Sequence, residues 1–248
     1  MTVGGLKRQE EEKKPLIAPV SPVIVPGPAE LAEAAASWTA ARITSAVGER
    51  GACYLALAGG ETPRGCYERL ARPPYRDALP WPSVLVYWSD ERQVPLDDPS
   101  SNYAMAKAAL LDHLRIPPEQ VFPLVGDPTP ALRRIPADAG GRPRFDLIHL
   151  GMGEDGHTAS LFPGSPVLEE VRAPVAQVHD APKPPPERLT LTLPVLNAAR
   201  AVLFMVQGAS KREALARVLR RDPALPASHV QPLDGELAFI VDRAAAGE

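Results

Sequence analysis

The stretch FDLIHLGMGEDGHTASLFPG, residues 145–164, decides the fold. Its first part, 145–150, is short, mostly apolar and followed by turn residues. That is the pattern of a strand buried in a parallel sheet. The run breaks at Gly151-Met152-Gly153, and Gly156 follows closely. Glycine lets a backbone turn sharply and approach a ligand. Between and after these glycines stand Glu154, Asp155 and His157. Open α/β sheets bind their ligands outside the carboxyl ends of the strands. This loop is therefore the first candidate for chemistry.

Strand and helix patterns alternate outward from this stretch. Residues 28–50 are rich in alanine, with Leu31, Ala35, Trp38, Ile43 and Val47 at helical spacing. They read as an amphipathic helix ending near Gly48 or Gly51. A strand is expected over 53–58, then a Gly59-Gly60 turn, then a helix with Thr62 as N-cap and Pro63 as its first residue. Further strands are expected over 84–88, 121–124, 189–193 and 201–206, and one over 237–241 closes the sheet. Helices are expected over 101–114, capped by Ser100 or Ser101, and over 210–221 after a turn at Gly208. The alternation predicts an α/β fold: an open, mostly parallel, Rossmann-like sheet with helices on both faces.

The whole chain sets wider bounds. Apolar residues make up 45% of 248, enough for a full core in one or two domains. A net charge of −3 gives no broad field favouring nucleic acid or an anionic membrane. No apolar run approaches the roughly 18–20 residues needed to span a bilayer. MTVGGLKRQEEEKKP, residues 1–15, carries charges where a secretory signal has its apolar stretch, and reads as a disordered tail. Residues 16–248 are expected to form a single domain. Cys53 and Cys66 read as buried thiols. Without C-x₂-C or H-x₃-H spacing, no structural zinc is expected. Prolines cluster at 15–28, 73–82, 117–143 and 182–186, which marks stiff loops between elements. Together these features predict a cytoplasmic protein with neither a nucleic-acid nor a membrane partner, and a monomer by default.

Four strand ends carry polar signatures. In LALAGGETPRG, 55–65, a Gly59-Gly60 turn before a helix exposes backbone N–H groups at the positive end of that helix, with the Thr62 hydroxyl beside them. The set suits a phosphate; it also suits a plain strand-to-helix turn with Thr62 as a cap. In SDERQVP, 89–95, Asp90, Glu91 and Arg92 follow a buried strand. Arginine's fork matches phosphate oxygens, while the alternative is a surface salt-bridge cluster. In the 151–157 loop, His157 is the natural proton carrier near neutral pH, with Asp155 or Glu154 to orient it. The alternative is a histidine capping a helix that begins around Thr158. In VLFMVQGASKREAL, 202–215, Lys211 opens a helix, where the dipole favours anions; it signals an anionic partner or an exposed lysine tolerated at small cost. Arg188, before LTLTLP, is a further cation. His149, inside a strand, reads as a core residue.

In a parallel sheet these strand ends meet. The glycine amides, Arg92 and Lys211 then form an anion pocket next to His157, a site for a phosphorylated small molecule with acid–base chemistry at its other end.

Five runs occur in one order: LALAGGETPRG, SDERQVP with SSNY (100–103), FDLIHLGMGEDGHTASLFPG, PPPERLTLTLP and VQGASKREAL. In that order they resemble the 6-phosphogluconolactonases, over residues 22–244. A wider group containing glucosamine-6-phosphate deaminase shares the GMGxDGH core, but Thr158-Ala159-Ser160-Leu161-Phe162-Pro163 has the lactonase form. Glu61 departs from the small or basic residue common in lactonases, and Phe239 stands where a tryptophan is common. The resemblance implies a catalytic domain that hydrolyses 6-phospho-D-glucono-1,5-lactone to 6-phosphogluconate without metal or organic cofactor. It implies His157 as general base, with Asp155 orienting it or a sugar hydroxyl. Arg92 and Lys211 would contact the phosphate, with Gly59, Gly60 and Thr62 beside them; Asp90 and Arg188 would be further substrate contacts. A deaminase-like enzyme and a non-catalytic sugar-phosphate sensor are the alternatives.

Overall fold

The computed structural model describes residues 21–248. The tail expected over 1–15 lies outside the described residues. The strands are β1 (Val23–Val25), β2 (Cys53–Leu57), β3 (Val84–Trp88), β4 (Asp90–Arg92), β5 (Leu147–Leu150), β6 (Val175–Val178), β7 (Arg188–Leu191), β8 (Ala201–Val206) and β9 (Glu236–Asp242). The helices are α1 (Pro28–Arg50), α2 (Glu61–Leu70), α3 (Tyr75–Ala78), α4 (Asn102–Ala109), α5 (Thr129–Leu132), α6 (Leu193–Ala198), α7 (Arg212–Leu219) and α8 (Arg243–Ala246).

Six strands form one parallel sheet in the order β1-β9-β8-β5-β2-β3. From β2 the chain steps outward to β3, then returns to the other side of β2 to make β5. The strand order thus reverses between β2 and β5, and the crevice outside their carboxyl ends is the expected ligand site.

Side chains alternate across this sheet, as strand geometry requires. Leu55, Leu57, Val86, Leu147, Leu203 and Ile240 face a core shared with Leu31, Ala35 and Ile43 of α1 and Cys66, Tyr67 and Leu70 of α2. Ala56, Tyr87, Ile148, Phe204 and Val241 face a second core shared with Val195 and Leu196 of α6 and Leu215 and Val218 of α7. Both faces are therefore covered, which is the α/β architecture that the alternating pattern predicts. Helix α1 runs from Pro28 to a left-handed Gly51 that donates to the Val47 carbonyl, as proline and glycine at helix ends favour. The two cysteines are free and buried, and burial pushes the Cys66 thiol up to about 12.

Several expectations are corrected. Helix α2 starts at Glu61 with Gly60, φ 101°, as its N-cap, so Thr62 is no cap and Pro63 is its third residue. Pro63 is tolerated there because N–H groups in a first helical turn have no intrahelical partner. Asp90–Arg92, expected only to follow the strand over 84–88, forms strand β4 of a second, antiparallel sheet of order β4-β7-β6. Residues 121–124 contribute one bridge, Val86 to Val121, and not a strand. The helix expected over 101–114 stops at Ala109, and the one expected over 210–221 starts at Arg212 after a 3₁₀ turn. Strand β9 is not the edge, because β1 pairs outside it. Among the described residues no helix is long and apolar enough to cross a membrane.

Candidate active site

The crevice at the β2/β5 reversal is a cleft of about 450 Å³. Gly59, Gly60 and Thr62 line it from the β2–α2 turn, Asp90 and Arg92 from β4, and His157 from the loop after β5. Arg188 of β7 and Lys211, before α7, complete the wall. Of the site residues that the resemblance implies, only Asp155 does not line the cleft. It stands behind His157, with Oδ1 2.5 Å from Nδ1 of the ring.

The 151–157 loop is built around that contact. Asp155 Oδ1 also accepts the His157 backbone N–H at 3.2 Å, and Gly153 N–H donates to the His157 carbonyl at 2.9 Å. A Cβ on Gly153 would lie 2.0 Å from His157 Nδ1 and 2.4 Å from Asp155 Oδ1, so only glycine fits. A carboxylate only accepts hydrogen bonds, so Nδ1 of the neutral ring carries the proton and Nε2 keeps its lone pair. The ring lies against Phe162, centroids 4.7 Å apart. Burial pulls the His157 pKa down, Asp155 opposes this, and Lys183 adds to it; the net shift is downward. The imidazole is thus neutral at neutral pH, as a base must be. Burial works to raise the Asp155 pKa, but its contacts with His157 outweigh this and hold it below the usual carboxylate range. Glu154 turns away to pair with Lys211 at 3.8 Å, which leaves Asp155 as the orienting carboxylate. No helix begins at Thr158: Thr158 and Leu161 form a local bridge, so His157 caps nothing.

The other end of the cleft is cationic. Arg92 and Arg188 stand directly opposite each other in the β4–β7 register. Like charges so placed repel unless an anion joins them. Arg188 is 4% exposed, and burial lowers its pKa, with Asp90 opposing and Arg92 adding to the shift. Arg92 donates to the Ser100 carbonyl at 2.5 Å, and its buried Nε has no partner. No salt bridge to a carboxylate involves either arginine among the described residues. The surface-cluster alternative for residues 90–92 fails, because Asp90 and Glu91 are 5% and 0% exposed. Glu91 accepts the backbone N–H groups of Arg92, Asn102 and Tyr103 at 2.7–2.8 Å, and so ties β4 to the start of α4. Asp90 accepts from the Ser160 hydroxyl at 2.6 Å and from Asn102 Nδ2 at 3.3 Å.

The glycine turn closes the third side. A Cβ on Gly59 would fall 1.9 Å from Asn102 Oδ1, and Gly60 has φ 101°. Below the turn, the Tyr67 hydroxyl accepts the Ala58 N–H at 2.9 Å and donates to its carbonyl at 3.0 Å. Glu61 also lines the cleft and pairs with Arg64 at 3.7 Å. Among the polar lining side chains, sequence reasoning missed Asn102, Lys183 and Gln207. Asn102 lay in the quoted SSNY run; Lys183 was the only cation in a proline cluster.

A family model described as glucosamine-6-phosphate isomerases/6-phosphogluconolactonase matches residues 26–239, and the chain belongs to this family. Its relatives point to one branch. A 6-phosphogluconolactonase of Synechocystis sp. is 42% identical over 87% of this chain and 92% of that protein. One of Rattus norvegicus is 41% identical over 88% and 90%. A solved 6-phosphogluconolactonase from Trypanosoma brucei superposes with a TM-score of 0.78 at 29% identity, covering 92% of this chain and 98% of that one.

Proposed function

We propose that the protein hydrolyses 6-phospho-D-glucono-1,5-lactone to 6-phosphogluconate, with His157 as general base. The observation that carries this reading is the cleft that joins an arginine pair, without a salt bridge among the described residues, to a carboxylate-oriented imidazole. The family branch agrees with it. The phosphate would lie against Arg92, Arg188 and Lys211, with the Gly59-Gly60 turn and Thr62 at its side. Charge-assisted bonds of this kind are worth about 1.5–3 kcal/mol each. Asp90, held by Ser160 and Asn102, faces the sugar. His157 Nε2 then takes a proton from water as the water oxygen attacks the lactone carbonyl. The tetrahedral intermediate collapses with cleavage of the ring C–O bond, and the imidazolium returns the proton to the ring oxygen.

The test is acid release from freshly generated lactone, corrected for spontaneous hydrolysis. Turnover by the purified protein is expected, with no ammonia released from glucosamine 6-phosphate; the reverse result would assign the deaminase reaction. His157→Ala should lose about 10²–10⁴-fold in kcat while still binding 6-phosphogluconate. Undiminished turnover in that variant would remove His157 from the role of base.

A further inference from the structure

Lys183 stands at the tip of the loop that joins β6 to β7, in the run Pro182-Lys183-Pro184-Pro185-Pro186. Proline fixes its own φ and restricts the residue before it, so this loop has few conformations. The structure adds three ties. The Ala181 N–H donates to the Pro186 carbonyl at 3.2 Å, closing the loop. The buried Arg188 guanidinium donates from Nε to the Pro185 carbonyl at 3.0 Å and from Nη2 to the Lys183 carbonyl at 2.6 Å. An exposed lysine therefore sits on a backbone tied by three hydrogen bonds. Lys183 lines the same cleft as His157, Ala159 and Arg188.

The Lys183 ammonium makes no hydrogen bond or salt bridge among the described residues, although its charge reaches the Glu154 carboxylate that pairs with Lys211 at 3.8 Å. Its charge acts on His157, adding to the depression of the ring's pKa by burial. A cation beside a general base works against proton uptake. The placement helps the chemical step if negative charge appears next to it as the proton moves. Lactone hydrolysis supplies that charge, because the carbonyl oxygen becomes an oxyanion as water attacks. Preorganised donors aimed at such an oxygen are commonly the largest single contribution to catalysis.

We propose that the Lys183 ammonium, preset by the proline loop and by Arg188, stabilises the oxyanion of the tetrahedral intermediate. This rests on the lactonase reading above. As the water oxygen bonds to the carbonyl carbon, its proton passes to His157 Nε2 and the carbonyl electron pair moves onto the oxygen facing Lys183. The pair returns as the ring C–O bond breaks, and the ring oxygen receives the proton from the imidazolium. Lys183 lends its charge throughout and keeps its own protons. Arg188 then acts in part as a positioning residue, in addition to any direct contact with substrate.

The experiment compares wild type, Lys183→Met and Lys183→Arg in steady-state lactone hydrolysis across pH, with binding of 6-phosphogluconate measured alongside. Lys183→Met should lose about 10²–10³-fold in kcat, the scale for removing one oxyanion donor. KM and product affinity should stay within about threefold of wild type. The acid limb of kcat/KM should move to higher pH, because removal of the cation lets the His157 pKa rise. Lys183→Arg should recover part of kcat. A raised KM with unchanged kcat would make Lys183 a phosphate ligand and overturn the proposal, as would an unmoved acid limb with unchanged kcat. Wild-type protein that fails to hydrolyse the lactone would instead remove the lactonase reading itself, so the two failures are told apart.

Discussion

Two histidines eight residues apart in one stretch of sequence have opposite fates. His149 lies in β5, fully buried, its Nε2 2.9 Å from the Thr39 hydroxyl and its ring stacked on Tyr67 with centroids 5.8 Å apart. Its Nδ1 has no partner, and burial pulls its pKa down to about 3. His157 is also pulled down by burial, but Asp155 opposes the shift and keeps the ring within reach of a proton. The difference teaches that burial alone makes an imidazole inert. A carboxylate at Nδ1 and an open cleft at Nε2 make it a base.

Breaking the carboxylate contact should have the largest effect. Asp155→Asn keeps the size of the side chain but removes its charge, and so brings His157 toward the condition of His149. A fall of about 10²-fold or more in kcat is expected, the scale of a lost acid–base contribution. The acid limb of kcat/KM should move to lower pH, because Asp155 raises the His157 pKa. That direction is opposite to the shift expected for Lys183→Met, and a pH–rate series on the two variants checks both. Equal shifts of the same sign would contradict the charge assignment around the ring.

The histidine comparison also shows what a sequence discloses. The glycine-flanked His157, the Gly59-Gly60 turn and Lys211 after Gly208 were legible, because apolar runs broken by glycine mark the carboxyl ends of parallel strands, and Arg92 was legible as a cation shortly after the apolar run 84–88. His149 was legible as core from its place within an apolar strand. The second sheet was not. Its strand β4 is three charged residues, which carry no strand signal, and Asp90 and Glu91 are buried because Glu91 finds the amides of α4 and Asp90 finds Ser160. That sheet is what sets Arg92 opposite Arg188. Lys183 was illegible for a similar reason: proline spacing announces a stiff loop, but not the cleft toward which it leans. Thr62 was misread as a cap because the left-handed Gly60 takes the turn first.

The buried partner of the comparison makes its own prediction about stability. His149 stays neutral in the folded protein down to about pH 3, whereas the unfolded chain protonates it from about 6.5. Between those values the unfolded state binds the extra proton, so stability is present above pH ~6.5 and is lost as pH falls. The full loss from this one group is at most about 5 kcal/mol. His149→Phe removes the titrating ring and should flatten the decline. Urea midpoints of both proteins at pH ~7.5 and ~5 measure it. A decline of the same size in both would show that another group carries the acid sensitivity.

The smallest effect tests whether the two histidines are independent. Thr39→Val removes the one hydrogen-bond partner of His149 and leaves both ring nitrogens unsatisfied in the core. The hydroxyl makes this exchange more than a change of shape, and leaving a buried polar group unpaired costs about 1–3 kcal/mol. Thr39 lies under the sheet on α1, and no residue of the cleft depends on its hydroxyl. Urea unfolding of the variant should show the loss, while kcat for the lactone and its pH limb stay where they are in the wild type. A shift of the limb would mean that the core face of β5 transmits to the loop at its end. The two imidazoles would then have to be treated as one coupled system, not as two environments that share a strand.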